Sequence, residues 1–289
     1  MPAAPTVLIT GCSSGIGLAA ALEMKQRGWE VIATARKEAD LTMLQDQGLT
    51  PLHLDVSDAE SVRACAAACS DRVTGLVNNA GFGQPGALED LSREAMRRQF
   101  ETNVFGLQEL TNALLPGMIE RKSGRIVHVS SVVGRVALPF LGIYSASKFA
   151  VEALADAQRV ELLGTGVQIS LVEPGPIITR FSRNAVQSSE KDLAQTQSRF
   201  ATLYAKELAD RDGASGSKAF ALPPEAVARR IAHALTAPKA RRRYRVTLPA
   251  HLGALMARFA PDALIDAILA AELRKRQTAA RAFQATQSS

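Results

Sequence analysis

Tyr144 and Lys148 stand four residues apart in Tyr144-Ser145-Ala146-Ser147-Lys148. On a helix that spacing puts a phenol and an ammonium on one face. An ammonium beside a phenol favours the phenolate and draws the tyrosine down from its ordinary value of about 10. A tyrosine so placed exchanges a proton with a carbonyl or alcohol oxygen near neutral pH. Ser131 lies thirteen residues upstream of Tyr144, past the end of an apolar run. Its hydroxyl can polarise the same oxygen. Ser130 is the neighbouring alternative, and the spacing to Tyr144 favours Ser131.

A second constellation lies near the start. The apolar run Thr6–Thr10 leads into Thr10-Gly11-Cys12-Ser13-Ser14-Gly15-Ile16-Gly17 and then a helical stretch. Glycines allow a tight turn and a close approach of backbone to a pyrophosphate, which the helix N-terminus then holds. Gly11, Ser13, Ser14, Gly15, Ile16 and Gly17 are thus candidate dinucleotide contacts. The second run ends in Ala33-Thr34-Ala35-Arg36. An acidic residue there accepts the ribose hydroxyls of NAD, whereas an arginine binds the 2′-phosphate of NADP. Arg36, with Lys37 beside it and Ser13 opposite, favours NADP. Asp55, after the third run, either accepts from the adenine amino group or caps the helix that follows.

Elements of two kinds must position these groups. Thr6–Thr10, Glu30–Ala33, Thr50–Leu54, Gly75–Asn78, Arg125–Ser130 and Val167–Val172 are rich in Val, Ile and Leu without polar alternation. Strands covered on both faces have that composition. Helical stretches lie between them: Gly17–Gln26, Ala59–Ala68, Arg93–Glu120 and Ala146–Leu163. The alternation predicts an α/β fold, a doubly wound parallel sheet of about seven strands with helices on both faces. Ligands of such sheets bind beyond the carboxyl ends of the strands. Tyr244–Leu248 is the expected seventh strand. A helical lid is expected over residues 181–220, and Pro261 divides an apolar helical tail.

At this point the chain resembles the short-chain dehydrogenase/reductase family, of Rossmann type. The resemblance rests on Thr10–Gly17, Asn78-Asn79-Ala80-Gly81, Asn103, Ser131, Tyr144 with Lys148, and Pro174-Gly175. Ala33-Thr34-Ala35-Arg36 and Glu173-Pro174-Gly175-Pro176-Ile177-Ile178-Thr179 resemble the NADP-using branch that holds 17β-hydroxysteroid and retinol dehydrogenases and bacterial aldehyde reductases. Arg199-Phe200 and Ala237-Pro238-Lys239 look like that branch as well. The resemblance implies that Tyr144 is the acid of reduction and the base of oxidation. It implies that Lys148 lowers the tyrosine and holds the nicotinamide ribose hydroxyls, and that Ser131 orients the carbonyl. Asn103 would hold a water linking Lys148 to solvent. Asn79, Ala80 and Gly81 would run along the adenosine ribose, and Pro174, Gly175, Ile177 and Thr179 would contact the nicotinamide. No metal is needed.

The rest of the sequence bounds the reading. The 289 residues, 47% hydrophobic and 21% charged, suit a chain with a sizeable core and exclude collagen, coiled coil and wholesale disorder. Residues 1–250 read as one domain including the lid, and residues 251–289 as a basic amphipathic helical extension. Three cysteines make no disulfide framework, so a reducing compartment is expected. With no apolar run of spanning length and no basic leader, a cytoplasmic protein is expected. The net charge of +6 is concentrated: residues 229–281 hold 12 Lys+Arg against 3 Asp+Glu, a net of +9, so the remainder sums to −3. A nucleic-acid partner is not expected, because the basic run Lys239–Arg245 has only Tyr244 as an interleaved aromatic. The tail can pack on its own domain, cap the substrate pocket, meet a partner subunit or lie on a membrane surface. Family resemblance implies a homo-oligomer, dimer or tetramer, paired through the long helices. Phe82, Val133, Leu138, Phe140, Leu141, Phe181 and Phe200 are candidate lining for an apolar substrate. An aldehyde is the leading guess, with a steroid or retinoid as the alternative. An intact Ser131, Tyr144 and Lys148 argue against a regulatory protein that has kept the fold and lost the chemistry.

Overall fold

The computed structural model describes residues 4–181, 185, 198–209 and 220–287. Most of the expected lid lies outside the described residues. Seven strands form one sheet: β1 (Thr6–Ile9), β2 (Glu30–Ala35), β3 (Thr50–His53), β4 (Val73–Asn78), β5 (Gly124–Val129), β6 (Val167–Glu173) and β7 (Arg243–Arg245). Every pairing is parallel, in the order β3-β2-β1-β4-β5-β6-β7. The order reverses beside β1, so a crevice opens at the carboxyl ends of β1 and β4.

Both faces are covered, and this accounts for the unbroken apolar strands. On one face, Ala20 and Met24 of α1 (Gly15–Gln26) and Leu44 of α2 (Glu38–Asp46) share a core with Val7, Ile9 and Val31 of the sheet. On the other, α3 (Ala59–Ala67), α4 (Arg93–Phe100), α5 (Gly106–Glu120) and α6 (Gly142–Glu161) follow in the chain, and α3, α5 and α6 supply Val62, Leu110, Leu114, Val151 and Ala155 around Leu8, Leu76 and Ile126. Helix α7 (Ala201–Ala209) precedes α8 (Pro224–Thr236), which returns to the first face with Val227, Ile231 and Leu235 buried. Pro224 sits in the first turn of α8, where a missing N–H costs no hydrogen bond.

Three elements differ from expectation. The stretch 93–120 is not one helix, because Glu101–Phe105 is a π-helical turn between α4 and α5. Helix α2 has no counterpart in the apolar pattern, since Leu44 is its one buried residue. Strand β7 stops at Arg245 rather than Leu248. Thr247 instead caps α9 (Leu248–Phe259) by accepting from Ala250 N, and Pro249 is set in the first turn. Past Pro261 the chain forms α10 (Asp262–Gln287). Ala280 and Leu273 of α10 pack with Leu203 and Tyr204 of α7, on a cluster that includes Ala87, Phe140 and Phe200.

Candidate active site

The glycine loop is tied to the end of β4 through Thr10. Its hydroxyl donates to Val77 O (3.3 Å) and accepts from the N–H groups of Asn79 and Ala80 (2.9 Å each). Asn79 Nδ2 donates back to Thr10 O (2.8 Å) and Gly11 O (3.1 Å). Gly11 has a φ of 72°, and a Cβ there would stand 2.9 Å from Ala80 Cα. A Cβ on Gly17 would stand 2.2 Å from Gly11 O, so the start of α1 abuts bare loop backbone. Ser14 makes no side-chain cap to α1, and the first turn holds no acidic residue. The helix therefore offers its N–H groups and positive end to an anion, and this fits a pyrophosphate lying across Ser13, Ser14, Gly15 and Ile16. Thr179 reaches back from beyond β6, its Cγ2 3.2 Å from where a Gly15 Cβ would be.

Arg36 leaves β2 into solvent, its side chain 69% exposed and 3.7 Å from Asp55. The other oxygen of Asp55 accepts from Ser57 N (2.9 Å) and Ser57 Oγ (2.7 Å). Partial burial opposes ionisation of Asp55, but the Ser57 hydrogen bonds and the Arg36 charge outweigh it and hold the carboxyl below its ordinary value. Capping of α3 falls to Asp58, which accepts from Glu60 N (3.1 Å). Asp55 is left to set the turn after β3 and to pair Arg36.

Asn103, Ser131, Tyr144 and Lys148 converge at the carboxyl ends of β4, β5 and β6. Helix α6 buries Tyr144, Ser147, Lys148, Val151 and Glu152 on its inner side. The Ser131 hydroxyl stands on the Tyr144 side of the crevice, near enough to affect the phenol's titration. It also accepts from Val133 N (3.3 Å) and faces Pro174 O (3.5 Å). Ser130 Oγ instead lies toward Glu152 and Gly134, so Ser131 is the serine beside the phenol. Burial pushes Tyr144 up to about 12, with the nearby Ser131 hydroxyl pulling the other way. This corrects the expected lowering. Lys148 Nζ donates to Val129 O (2.8 Å) and lies 5.8 Å from the phenol ring centroid. The lysine itself is drawn down to about 8 by burial, against the nearby Glu152 charge.

Asn103 sits in the π-helical turn, 1% exposed. Its Oδ1 accepts from Phe82 N (3.1 Å), and its Nδ2 donates to Phe82 O (3.0 Å) and Ser147 Oγ (3.1 Å). A π-bulge adds one residue to a turn and so re-aims a side chain. Here it points the amide between the loop after β4 and the face of α6. Gly81 packs against that amide, with a Cβ placed 3.0 Å from Asn103 Oδ1. Beyond β6, Val132 N donates to Pro174 O (2.8 Å), Gly175 abuts Thr247, and Ile177 bridges Leu222. Phe181 places its ring 5.5 Å from that of Tyr144. Phe140 instead turns edge-on to Phe200 and Tyr204, under α10.

Residues 5–190 match the family described as short chain dehydrogenase. The chain belongs to that family. Short-chain dehydrogenase relatives span nearly all of it. The uncharacterized oxidoreductase YbbO of Escherichia coli (strain K12) is 41% identical over 269 residues, covering 91% of this chain and 93% of that one. The human 17-beta-hydroxysteroid dehydrogenase type 1 is 39% identical, covering 83% of this chain and 77% of its own length. A short-chain dehydrogenase of Burkholderia cenocepacia J2315 solved with NADP superposes with a TM-score of 0.72 at 25% identity, over 92% of this chain and 97% of that one. A relative from Burkholderia phymatum solved with NAD gives 0.73 at 28% identity, over 88% and 92%. The chain is thus an oxidoreductase of the short-chain family with a seven-stranded Rossmann-like fold.

Two further titratable groups are buried near the site, Glu152 without a signal in the sequence and His128 as a structural histidine of its strand. Glu152, 4% exposed, accepts from Arg243 Nε (3.2 Å) and Nη2 (3.1 Å). Arg243 also binds Asp156 (2.6 Å) and Glu173 (3.0 Å), and Arg245 binds Glu173 (3.1 Å). The cluster clamps α6 to β6 and β7 directly behind Lys148 and Pro174. His128, 1% exposed, faces Asn78 Nδ2 through its Nδ1 (3.1 Å) and is held neutral by burial, down to about 4.

Proposed function

We propose that the protein is an NADP(H)-dependent oxidoreductase that interconverts an apolar aldehyde or ketone and its alcohol. The observation that carries the reading is the meeting of the Ser131 segment with the Tyr144–Lys148 face of α6 at the sheet's carboxyl edge, where the Ser131 hydroxyl is near enough to draw the buried phenol down. Two donors meeting at one point can hold a carbonyl oxygen between them. Tyr144, held near 12, keeps its proton across the neutral range and gives it to the oxygen as charge develops there. Ser131 fixes the direction of that oxygen. Lys148 holds ribose hydroxyls beside the phenol and, when charged, stabilises the phenolate left behind. Asn103 pins Phe82 and Ser147, and so keeps the loop and α6 in register around them. The nicotinamide supplies the hydride when bound. Gly11, Gly15 and Gly17 give it a bare cradle, Asn79, Ala80 and Gly81 a wall, and Pro174, Gly175, Ile177 and Thr179 a second wall. Arg36, exposed at the end of β2, supports NADP over NAD.

Phe181 against Tyr144, with Val133, Leu138 and Leu141 nearby in the chain, supports an apolar substrate. An aldehyde is the leading class. A hydroxysteroid or retinoid is the second reading, favoured by the likeness to a hydroxysteroid dehydrogenase. A homo-oligomer paired through α5 and α6 is supported by Phe149 and Val160 on α6, with Phe105 just before α5 and Leu163 just past α6, all large, apolar and exposed.

The test is NADPH oxidation across aldehydes and ketones of graded chain length. Efficiency should rise with apolar length, and turnover of no carbonyl would contradict the reading. In the same assay Arg36→Asp should cut the NADPH-over-NADH efficiency ratio about tenfold or more. An unchanged ratio would remove Arg36 as the selector.

A further inference from the structure

Helix α9 touches two loops that frame the crevice. Val246 N donates to Glu173 O (3.1 Å), so the chain leaves the sheet beside Pro174-Gly175. It turns at the buried Thr247, whose φ of 121° and ψ of 152° lie in a region that residues with a side chain rarely adopt. Such strain persists only where the surroundings over-determine it. Here the Thr247 hydroxyl accepts from Ala250 N (3.3 Å) and caps α9. The same oxygen fills the space in which a Cβ of Gly175 would stand. The start of α9 is thus fixed against the loop that follows β6.

Further along, α9 meets the segment that carries Ser131. Ala250, Gly253 and Ala254 share one face at helical spacing. Ala250 and Ala254 are buried. A Cβ on Gly253 would stand 2.7 Å from Val132 Cγ2 and 3.9 Å from Val136 Cγ2. Glycine is a poor helix former, and here its bare backbone is what lets α9 seat on Val132. Val132 follows Ser131 directly. Its N–H donates to Pro174 O (2.8 Å), the carbonyl that the Ser131 hydroxyl faces at 3.5 Å. Gly134 N bonds back to Ser131 O (3.0 Å), and Arg135 N and Val136 N to Val132 O (3.0 and 3.2 Å). The turn is closed on itself, so a push on Val132 moves Ser131 with it.

We propose that Gly253 is a positioning residue for the reaction. By seating α9 on Val132 it fixes where the Ser131 hydroxyl stands relative to the Tyr144 phenol, while Thr247 holds the same helix against Gly175. The effect on turnover rests on the oxidoreductase reading, which gives Ser131 its role; the mechanical coupling from α9 to the turn at Val132 does not.

The experiment compares Gly253→Ala, Val132→Ala and the double variant in the full chain. Turnover is read with NADPH and straight-chain aldehydes from butanal to decanal, and the turn itself by amide hydrogen exchange at Val132. The added methyl must push Val132 aside, and small misplacements of reacting groups are costly. Gly253→Ala should lower kcat about tenfold or more and quicken exchange at the Val132 N–H. NADPH affinity and the thermal midpoint should stay near the parent's, since alanine is the better helix former. Val132→Ala in the same chain removes the clash and should restore both kcat and protection to those of Val132→Ala alone. Parental kcat and exchange in Gly253→Ala overturn the proposal. So does a loss that Val132→Ala fails to restore, or one matched by falls in NADPH affinity and midpoint, which marks a helix that supports the fold alone. If the parent reduces none of the aldehydes, the oxidoreductase reading fails instead; quickened exchange that Val132→Ala reverses would still support the coupling.

Discussion

Tyr144 and Lys148 share a buried face, and burial acts on them in opposite directions. The phenol is pushed up to about 12 and the ammonium down to about 8. In the reducing direction the phenol therefore stays a proton donor throughout the neutral range. The ammonium is present below about 8 and is lost as pH rises through that value. The reduction rate should be flat on the acid side and fall above about 8. Glu152, one turn beyond Lys148, favours its charged form. Glu152→Gln should move the inflection of the kcat–pH profile to lower pH. An inflection that stays in place would separate Glu152 from Lys148. The sequence displays Tyr144, Lys148 and Ser131 openly, because a local spacing carries them. It hides Glu152, since an acid four residues after a lysine reads as an ordinary surface pair. The partner that buries it, Arg243, comes from a strand 91 residues away.

At the scale of elements, the strands were legible because a sheet covered on both faces demands unbroken Val, Ile and Leu. Loop positions followed, since all the candidate groups lie just beyond strand ends or on α1, α6 and the turn at Asn103. The π-helical turn was not legible. Its sequence, Glu101–Phe105, has no residue that breaks a helix, and the extra residue is set by the hydrogen bonds of Asn103 to Phe82 and Ser147. Helix α2 lacks the apolar stripe that would announce it, and the expected strand Tyr244–Leu248 overruns β7 because the cap at Thr247 and the first helical residue, Leu248, are residue types that also suit a strand. The bracing of the glycine loop by Thr10 also needed the structure, since it joins residues 69 and 70 apart. Thr10→Val keeps the shape but leaves the N–H groups of Asn79 and Ala80 without their acceptor. It should cost about 1–3 kcal/mol of stability and weaken NADPH binding, as read by thermal unfolding and fluorescence titration. An unchanged midpoint and affinity would show that Thr10 does not brace the loop.

For the whole molecule, one buried histidine links stability to pH. His128 is drawn from the ordinary 6.5 to about 4, chiefly by burial and then by the Lys148 charge. Between those values the unfolded chain binds a proton that the native chain does not. Native stability is therefore complete above about 6.5 and declines as pH falls toward about 4, by at most about 3 kcal/mol. Urea midpoints across that range should show the decline, and His128→Gln should flatten it; an equal decline in the variant would place the acid sensitivity elsewhere. The charge of the molecule is also uneven, basic from residue 229 to 281 and mildly acidic elsewhere. Basicity thus belongs to the C-terminal region, and the proposed reaction would draw on only two cations, Arg36 and Lys148. The central claim is that Tyr144 carries the proton. Its most direct test is Tyr144→Phe assayed for NADPH-dependent carbonyl reduction alongside NADPH affinity. Turnover should fall by about a hundredfold to ten-thousandfold while NADPH still binds as in the parent. A variant that binds NADPH and reduces the carbonyl at the parental rate would contradict the account.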